Sequence, residues 1–224
     1  MTFICIGHRG ASGHAPENTL KAFELAIEMG CTWIELDVYC VEGELVVIHD
    51  DDVSRTTNGS GAVLSLGLEK LRALDAGDGE QIPTLREVLD LCDKRVGVNI
   101  ELKGPDTARP VNVLLRDALT HGWRSDQFLL SSFYHNELAR ADRQFARGAL
   151  FHKSADYCAV AKELGASAIN LAQKLVTKEV VQEAHQQGFQ VLVYTVNSRE
   201  EMQLQKDLGV NGVFTNYPEL FPGE

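Results

Sequence analysis

Short apolar runs rich in β-branched residues alternate along the chain with segments whose apolar residues recur at helical spacing. The runs at residues 3–6, 33–38, 96–102, 128–132, 148–151, 168–171, 191–194 and 212–215 predict strands. The segments between them predict helices over 20–29, 85–93, 108–121, 136–145, 155–164, 178–187 and 199–208. Gly30, Gly122, Gly165, Gly188 and Gly209 stand where helices should stop, and Thr19, Thr84, Ser154, Thr177 and Ser198 stand where helices should be N-capped. Eight strands alternating with seven helices predict an α/β fold with a parallel sheet and helices outside it. In a chain of 224 residues the count of eight points to a closed (β/α)₈ TIM barrel. An open doubly wound sheet is the alternative, but no Gly-x-Gly-x-x-Gly follows the first strand, so a dinucleotide site has little support.

One segment breaks the alternation. Residues 45–49 read as a ninth strand with only 39–44 between them and the second, too short for a parallel crossover. The pair must be an antiparallel hairpin turning near Glu42-Gly43 and returning His49 to the level of Glu35 and Asp37. A two-residue loop would pair 37 with 48 and put His49 on the opposite face, so an odd register or a bulge, pairing 49 with 37 or 35, is expected. Residues 51–81, rich in Gly and polar residues, read as a small cap inserted in a single domain. Leu64, Leu66, Leu68, Leu71 and Leu74 have the spacing to pack it down.

Composition narrows the partners. Lys plus Arg number 21 and Asp plus Glu 32, a formal charge of −11. With 44% hydrophobic and 24% charged residues the chain has material for a sizeable core. The acidity argues against nucleic acid or an anionic membrane as partner. It leaves room for a small anionic substrate, for which one Arg and one Lys suffice. Five scattered cysteines without a Cys-x-x-Cys pair suit neither a disulfide framework nor a thiolate zinc site. No basic-then-apolar leader opens the sequence, and no apolar run nears the roughly 20 residues of a membrane helix. A soluble, unprocessed, cytoplasmic protein is expected.

In a barrel of this kind the active site lies where strands end. The polar residues at those ends are His8-Arg9, Glu35-x-Asp37, His49-Asp50, Glu101-x-Lys103, Ser131-Ser132, His152-Lys153 and Tyr194-Thr195-Val196-Asn197. Glu35 and Asp37 point the same way along one strand, as do Glu101 and Lys103 along its neighbour. Three carboxylates without thiolates make a hard-oxygen site suited to Mg²⁺ or Ca²⁺. Without a cation they would repel one another and raise their own pKa values. Arg9 and Lys103 supply positive charge for an anionic group, Arg9 with bidentate geometry. Singly, each piece has a plainer reading: a Glu-x-Asp pair as a solvated strand end, a Glu-x-Lys pair as an ion pair. Convergence on one mouth separates them from His152-Lys153, expected at the surface, and from His14, His121, His135 and His185, expected to face solvent. Asn58-Gly59-Ser60-Gly61 reads as a plain turn.

His8-Arg9-Gly10, Pro16-Glu17-Asn18-Thr19, Glu35-Leu36-Asp37-Val38, Val46-Val47-Ile48-His49-Asp50 and Glu101-Leu102-Lys103, in that order, resemble the motif series of the glycerophosphodiester phosphodiesterases. Tyr194-Thr195-Val196-Asn197 and Gly212-Val213-Phe214-Thr215-Asn216-Tyr217-Pro218 resemble that family's C-terminal motifs, so the likeness covers nearly the whole chain. It departs at Tyr194, where Trp is common, and at Asn211 and Asn216, where Asp is common. The resemblance implies a TIM barrel hydrolysing glycerophosphodiesters to glycerol 3-phosphate and an alcohol. It implies a divalent metal on Glu35, Asp37 and Glu101, and His8 and His49 as an acid–base pair. Arg9, Lys103 and Tyr194 would meet the substrate, and Glu17 would orient the site or stand behind the metal.

Charge neutralisation on the phosphate and proton transfer at both ester oxygens fit these residues. The nucleophile is water or the substrate's 2-hydroxyl. Rival readings are a phospholipase acting on lysolipids or phosphoinositides on the same fold, and a silent barrel that only binds phosphate esters. The first would want an apolar rim; the second would not need two histidines.

Overall fold

The computed structural model describes residues 3–221. Eight strands pair in parallel in the order β1 (Ile4–His8), β2 (Trp33–Val41), β4 (Gly97–Leu102), β5 (Phe128–Ser132), β6 (Ala146–Phe151), β7 (Ala168–Ala172), β8 (Gln190–Tyr194) and β9 (Gly212–Thr215). β9 pairs with β1 and closes the sheet into the expected (β/α)₈ barrel. Outside it lie α1 (Leu20–Glu28), α4 (Leu85–Cys92), α5 (Ala108–Thr120), α6 (His135–Arg140), α7 (Tyr157–Leu164), α8 (Lys178–Gln186) and α9 (Arg199–Leu208). No helix of the described residues is long and apolar enough to cross a membrane.

Period-two alternation sorts the strands' side chains. Ile34, Leu36 and Val38 of β2 and Val98, Ile100 and Leu102 of β4 point outward and are fully buried with Phe23, Val88 and Leu115 of the helices. The inward residues Ile6, Leu129, Ala168, Leu192 and Phe214 plug the barrel's lower half, with Ile4 and Trp33 packed against them. A Cβ on Gly97 would lie 2.5 Å from the Trp33 ring, so the indole occupies the space a side chain at 97 would need.

The helix punctuation holds at Thr19, Thr84, Thr177 and Ser198, whose side chains accept backbone N–H groups at the starts of α1, α4, α8 and α9. Two helices differ from expectation. α7 is capped by Asp156 rather than Ser154 and begins at Tyr157. α6 stops at Arg140 instead of running to 145, because Ala141 is extended and the Asp142 carboxylate accepts the Gln144 N–H, turning the chain so that Phe145 packs edge-on against Phe128.

The hairpin forms, but in the other register. β3 (Glu44–Val47) pairs antiparallel with the end of β2, Val41 opposite Glu44 and Val38 opposite Val47. Glu42 (φ 53°) and Gly43 (φ 88°) make the two-residue, left-handed turn that suits strand twist. The expected bulge is absent. His49 still reaches the mouth because the ladder ends at Val47, and residues 49–50 lie in a bend that is free of strand alternation. β3 takes the edge of β2 beyond the point where β1 stops pairing, at His8 opposite Glu35.

The 51–81 segment folds as α2 (Val63–Leu66), α3 (Leu68–Arg72) and a 3₁₀ turn at Val53–Arg55. It packs on the hairpin through a separate cluster of Tyr39, Val41, Val46, Ile48, Val53 and Leu71. Leu66, Leu68 and Leu74 join that cluster, whereas Leu64 is exposed.

Gly97→Ala should lower the unfolding free energy by about 1–3 kcal/mol, the usual cost of overpacking. Denaturant titration measures this, and a variant as stable as the parent would show the Trp33 contact to be slack.

Candidate active site

β1 ends at His8, and Arg9, Gly10 and Asn18 in the loop beyond it set the shape of the mouth. Arg9 is left-handed (φ 56°), which turns its backbone N–H onto Glu35 Oε2 at 2.9 Å. Gly10 follows at φ 80°, where a Cβ would strike the Ala22 carbonyl at 2.5 Å, so the position tolerates only glycine. Asn18, also left-handed (φ 59°) and buried, donates from its backbone N–H to the Arg9 carbonyl and from its amide to Asp37 Oδ2 at 2.9 Å. Asn tolerates this conformation better than other side-chain-bearing residues. Strain in the β1–α1 loop is thus spent on directing donors at two carboxylates.

The carboxylates themselves come from strand alternation. Glu35 and Asp37 are 3% and 1% exposed, Glu101 9%, and each brings an oxygen within 4.8 Å of the others. Lys103 Nζ is 3.0 Å from Glu101 Oε1 and 3.8 Å from Asp37 Oδ1, and Arg9 Nε is 3.5 Å from Asp37 Oδ2. Burial, followed by repulsion from Asp37 and Glu101, pushes the Glu35 carboxyl well above its ordinary range. Burial and then Asp37 raise Glu101 to about 7, against the pull of Lys103. Burial works against the charge of Lys103 too, but Glu101 and Asp37 outweigh it and hold the ammonium above its usual value.

Two cations do not neutralise three carboxylates, and buried Asp37 Oδ1 has no hydrogen-bond partner. An all-oxygen donor set with an orphaned oxygen fits a hard divalent cation. These three residues could hold one.

Two histidines flank the triad. His8 Nδ1 lies 2.7 Å from Asn216 Oδ1 and its Nε2 4.0 Å from Glu35 Oε2. Burial and then Arg9 lower His8 to about 4. His49 Nδ1 lies 2.6 Å from Asp50 Oδ1 and its Nε2 3.1 Å from Lys103 Nζ. Glu17 stands behind Arg9, its Oε1 accepting from Arg9 Nη1 at 2.8 Å, and it is shared with Arg55.

A cavity of about 110 Å³ opens between these groups. His8, Arg9, Glu35, His49 and Glu101 form its polar side; Phe133, Leu150, Tyr194 and Phe214 form the apolar side. Asn99 and Ser131 also line it, joined by a 3.0 Å hydrogen bond. The Tyr194 hydroxyl donates to the Phe151 carbonyl, and its ring meets Phe133 edge-on at 5.8 Å.

The structure therefore brings His8, Arg9, Glu35, Asp37, His49, Glu101, Lys103 and Tyr194 to one mouth, with Glu17 behind. Ser132 does not join them: it faces away from the cavity and donates to the Leu102 carbonyl. His152 and Lys153 are exposed, as are His14, His121 and His185, whereas His135 is half-buried on the Leu150 carbonyl. Sequence reasoning gave no role to Asn18, Asp50, Arg55, Asn99, Phe133 or Asn216. Asn18, Asp50 and Asn216 lie inside the family-like motifs, and a signal exists in Asn18 as a side chain suited to positive φ.

Three carboxylates, two cations and two imidazoles at the strand ends of one barrel suit a small anionic ester. The chain belongs to the glycerophosphoryl diester phosphodiesterase family, whose model matches residues 8–220. A glycerophosphodiester phosphodiesterase of Caldanaerobacter subterraneus subsp. tengcongensis is 35% identical over 233 residues, covering 98% of this chain and 96% of that one. One of Bacillus altitudinis is 35% identical over 246 residues, covering 98% and 96%. Among solved structures, an Oleispira antarctica phosphodiesterase in complex with its product sn-glycerol-3-phosphate superposes with a TM-score of 0.88 at 31% identity, over 96% of this chain and 94% of that one.

Glu17 offers a test of the electrostatics. Burial alone would raise its carboxyl, but Arg55 and then Arg9 bring it down to about 2 from an ordinary 4.5. A depressed folded-state pKa contributes stability in full above the ordinary value, and that contribution fades as the pH falls towards the depressed one. The melting-temperature difference between the parent and Glu17→Gln should be largest above about pH 4.5 and shrink towards about pH 2. A difference independent of pH across that window would refute the ion pairing.

Proposed function

We propose that this protein hydrolyses glycerophosphodiesters, such as glycerophosphocholine or glycerophosphoethanolamine, to glycerol 3-phosphate and an alcohol. The proposal includes a divalent cation, Mg²⁺ or Ca²⁺, held by Glu35, Asp37 and Glu101, and an acid–base pair of His8 and His49. Residues 1–224 would act as one catalytic unit with 51–81 as its cap. The observation that carries the reading is the shared cavity. Glu35 and Glu101 line it with Arg9, His8 and His49, and against them stand Lys103 and Asp37, whose Oδ1 has no hydrogen bond. The names of the relatives and the product bound in the Oleispira enzyme support the same substrate class.

In this reading the diester's phosphate sits against Arg9 and Lys103, whose charges stabilise its non-bridging oxygens as the phosphorus becomes five-coordinate. A cation on the triad would add further neutralisation of those oxygens and acidify a hydroxyl brought to it. One imidazole takes the proton of the attacking hydroxyl as the new O–P bond forms; water gives glycerol 3-phosphate directly, whereas the substrate's 2-hydroxyl gives a cyclic phosphate that a second attack, by water, opens to glycerol 3-phosphate. The other imidazole gives a proton to the departing alcohol oxygen as the old P–O bond breaks. Asn216 engages Nδ1 of His8 and Asp50 engages Nδ1 of His49, which leaves the Nε2 atoms for that work, that of His49 beside the Lys103 ammonium. The apolar wall of Phe133, Leu150, Tyr194 and Phe214 would lie along the substrate's carbon skeleton, with Tyr194 as a substrate contact.

Release of glycerol 3-phosphate from a panel of glycerophosphodiesters should stop on chelation with EDTA and return with Mg²⁺ or Ca²⁺; release that survives chelation would remove the metal from the proposal. His8→Ala and His49→Ala should each lower kcat by at least about 100-fold, the range of general acid–base catalysis. Near-parental turnover in either variant would unseat that histidine.

A further inference from the structure

We propose that Arg55, carried by the cap, is a positioning residue that fixes the ring of His49 through Asp50, braced against Glu17; the proposal rests on the acid–base role of His49 given above. The hydrogen bonds run in an unbroken series. Arg55 Nε donates to Asp50 Oδ2 at 2.5 Å, while its Nη1 and Nη2 grip Glu17 Oε2 and Oε1 at 2.8 and 2.7 Å. The other oxygen of Asp50 lies 2.6 Å from His49 Nδ1. On the far side of the ring, Nε2 is 3.1 Å from Lys103 Nζ.

An ammonium has only protons to offer, so Nε2 must accept, and the ring proton must sit on Nδ1 and be donated to Asp50. Asp50 thus sets both the tautomer and the rotation of the imidazole, and turns the Nε2 lone pair to Lys103 Nζ at the edge of the cavity. Asp50 lies in the bend beyond the end of β3, where no strand ladder holds it. Its carboxylate is held on its other side by Arg55.

Arg55 is itself fixed from the cap. It closes the 3₁₀ turn Val53–Arg55, whose Val53 is fully buried and donates its N–H to the Gly61 carbonyl at 3.0 Å. The Asp52 side chain accepts the Ser54 N–H at the start of that turn. The guanidinium uses three N–H groups in two directions, a pattern that a lysine's point charge cannot reproduce. Its side chain is 48% exposed, so the ion pairs add little to global stability. Their effect falls on the orientation of one ring.

The test uses the full chain. Arg55→Ala should lower kcat about 10- to 100-fold, the usual cost of losing a partner that orients an active-site histidine, with KM little changed and the melting temperature lowered no more than by Glu17→Gln. Free guanidinium ion should restore part of the rate, and Arg55→Lys should not. Imidazole ¹⁵N NMR at a pH where the ring is neutral should show His49 as the Nδ1–H tautomer in the parent and a mixture in Arg55→Ala. A variant with parental kcat and an unchanged tautomer would overturn the proposal. So would a rate loss that merely follows a fall in melting temperature while the tautomer stays fixed. The NMR measurement needs no turnover, so it decides the relay even if the parent fails to hydrolyse glycerophosphodiesters.

Discussion

The constraint on which the rest depends is the burial of Glu35, Asp37 and Glu101 within 4.8 Å of one another. Like charges in a poorly hydrated place repel strongly, and burial disfavours each carboxylate on its own account. The surroundings read as responses to that cost. Lys103 and Arg9 bring positive charge, and the Arg9 N–H and the Asn18 amide bring oriented dipoles to Glu35 and Asp37. What they leave uncompensated, seen in the raised carboxyls of Glu35 and Glu101, is the charge a divalent cation would meet.

Such a site needs a stiff frame, and β2 is its centre. Its first half is held on one side by β1 and along its length on the other by β4, while its far end is held by β3. Two of the three carboxylates therefore stand on a strand paired with three others, where repulsion cannot push them apart. The third is on β4, with Asp37 directly opposite Glu101 in the ladder. Below them the plug of Ile6, Leu129, Leu192 and Phe214 leaves the charged groups no room to sink.

Much of this was legible in the sequence because period and punctuation are local properties. Strand alternation put Glu35 with Asp37 and Glu101 with Lys103 before any coordinates, and the Thr and Ser caps marked most helix starts. The failures share a different cause. The hairpin register was judged on the assumption that His49 must lie on a strand face, whereas the ladder stops at Val47 and a bend delivers the side chain. Ser132 lies on the outward face of the strand whose inward face carries Ser131, a parity that alternation could have supplied. Arg55 and Asn216 reach the histidines across the fold, and nothing in their local spacing names those partners. Arg55 is charged and sits in a polar segment, where a solvated side chain is the default.

The two imidazoles are held by different kinds of structure, and that difference gives the cap its place. His8 is the last residue of a barrel strand, paired opposite Glu35 and anchored on Asn216 in the loop after β9, so its position is as firm as barrel closure. His49 lies outside any ladder, and its ring is set by a carboxylate and an ammonium rather than by backbone pairing. The hairpin that delivers it packs on the cap through Tyr39, Val46, Ile48, Val53 and Leu71, a cluster separate from the barrel's main core. The residues around the cavity thus divide between two hydrophobic units, the barrel holding the carboxylates and His8, the cap and hairpin holding His49. In a barrel whose loops carry specificity, this arrangement lets the 51–81 segment bear on the reacting geometry through Arg55 and Asp50 while the carboxylate frame stays fixed.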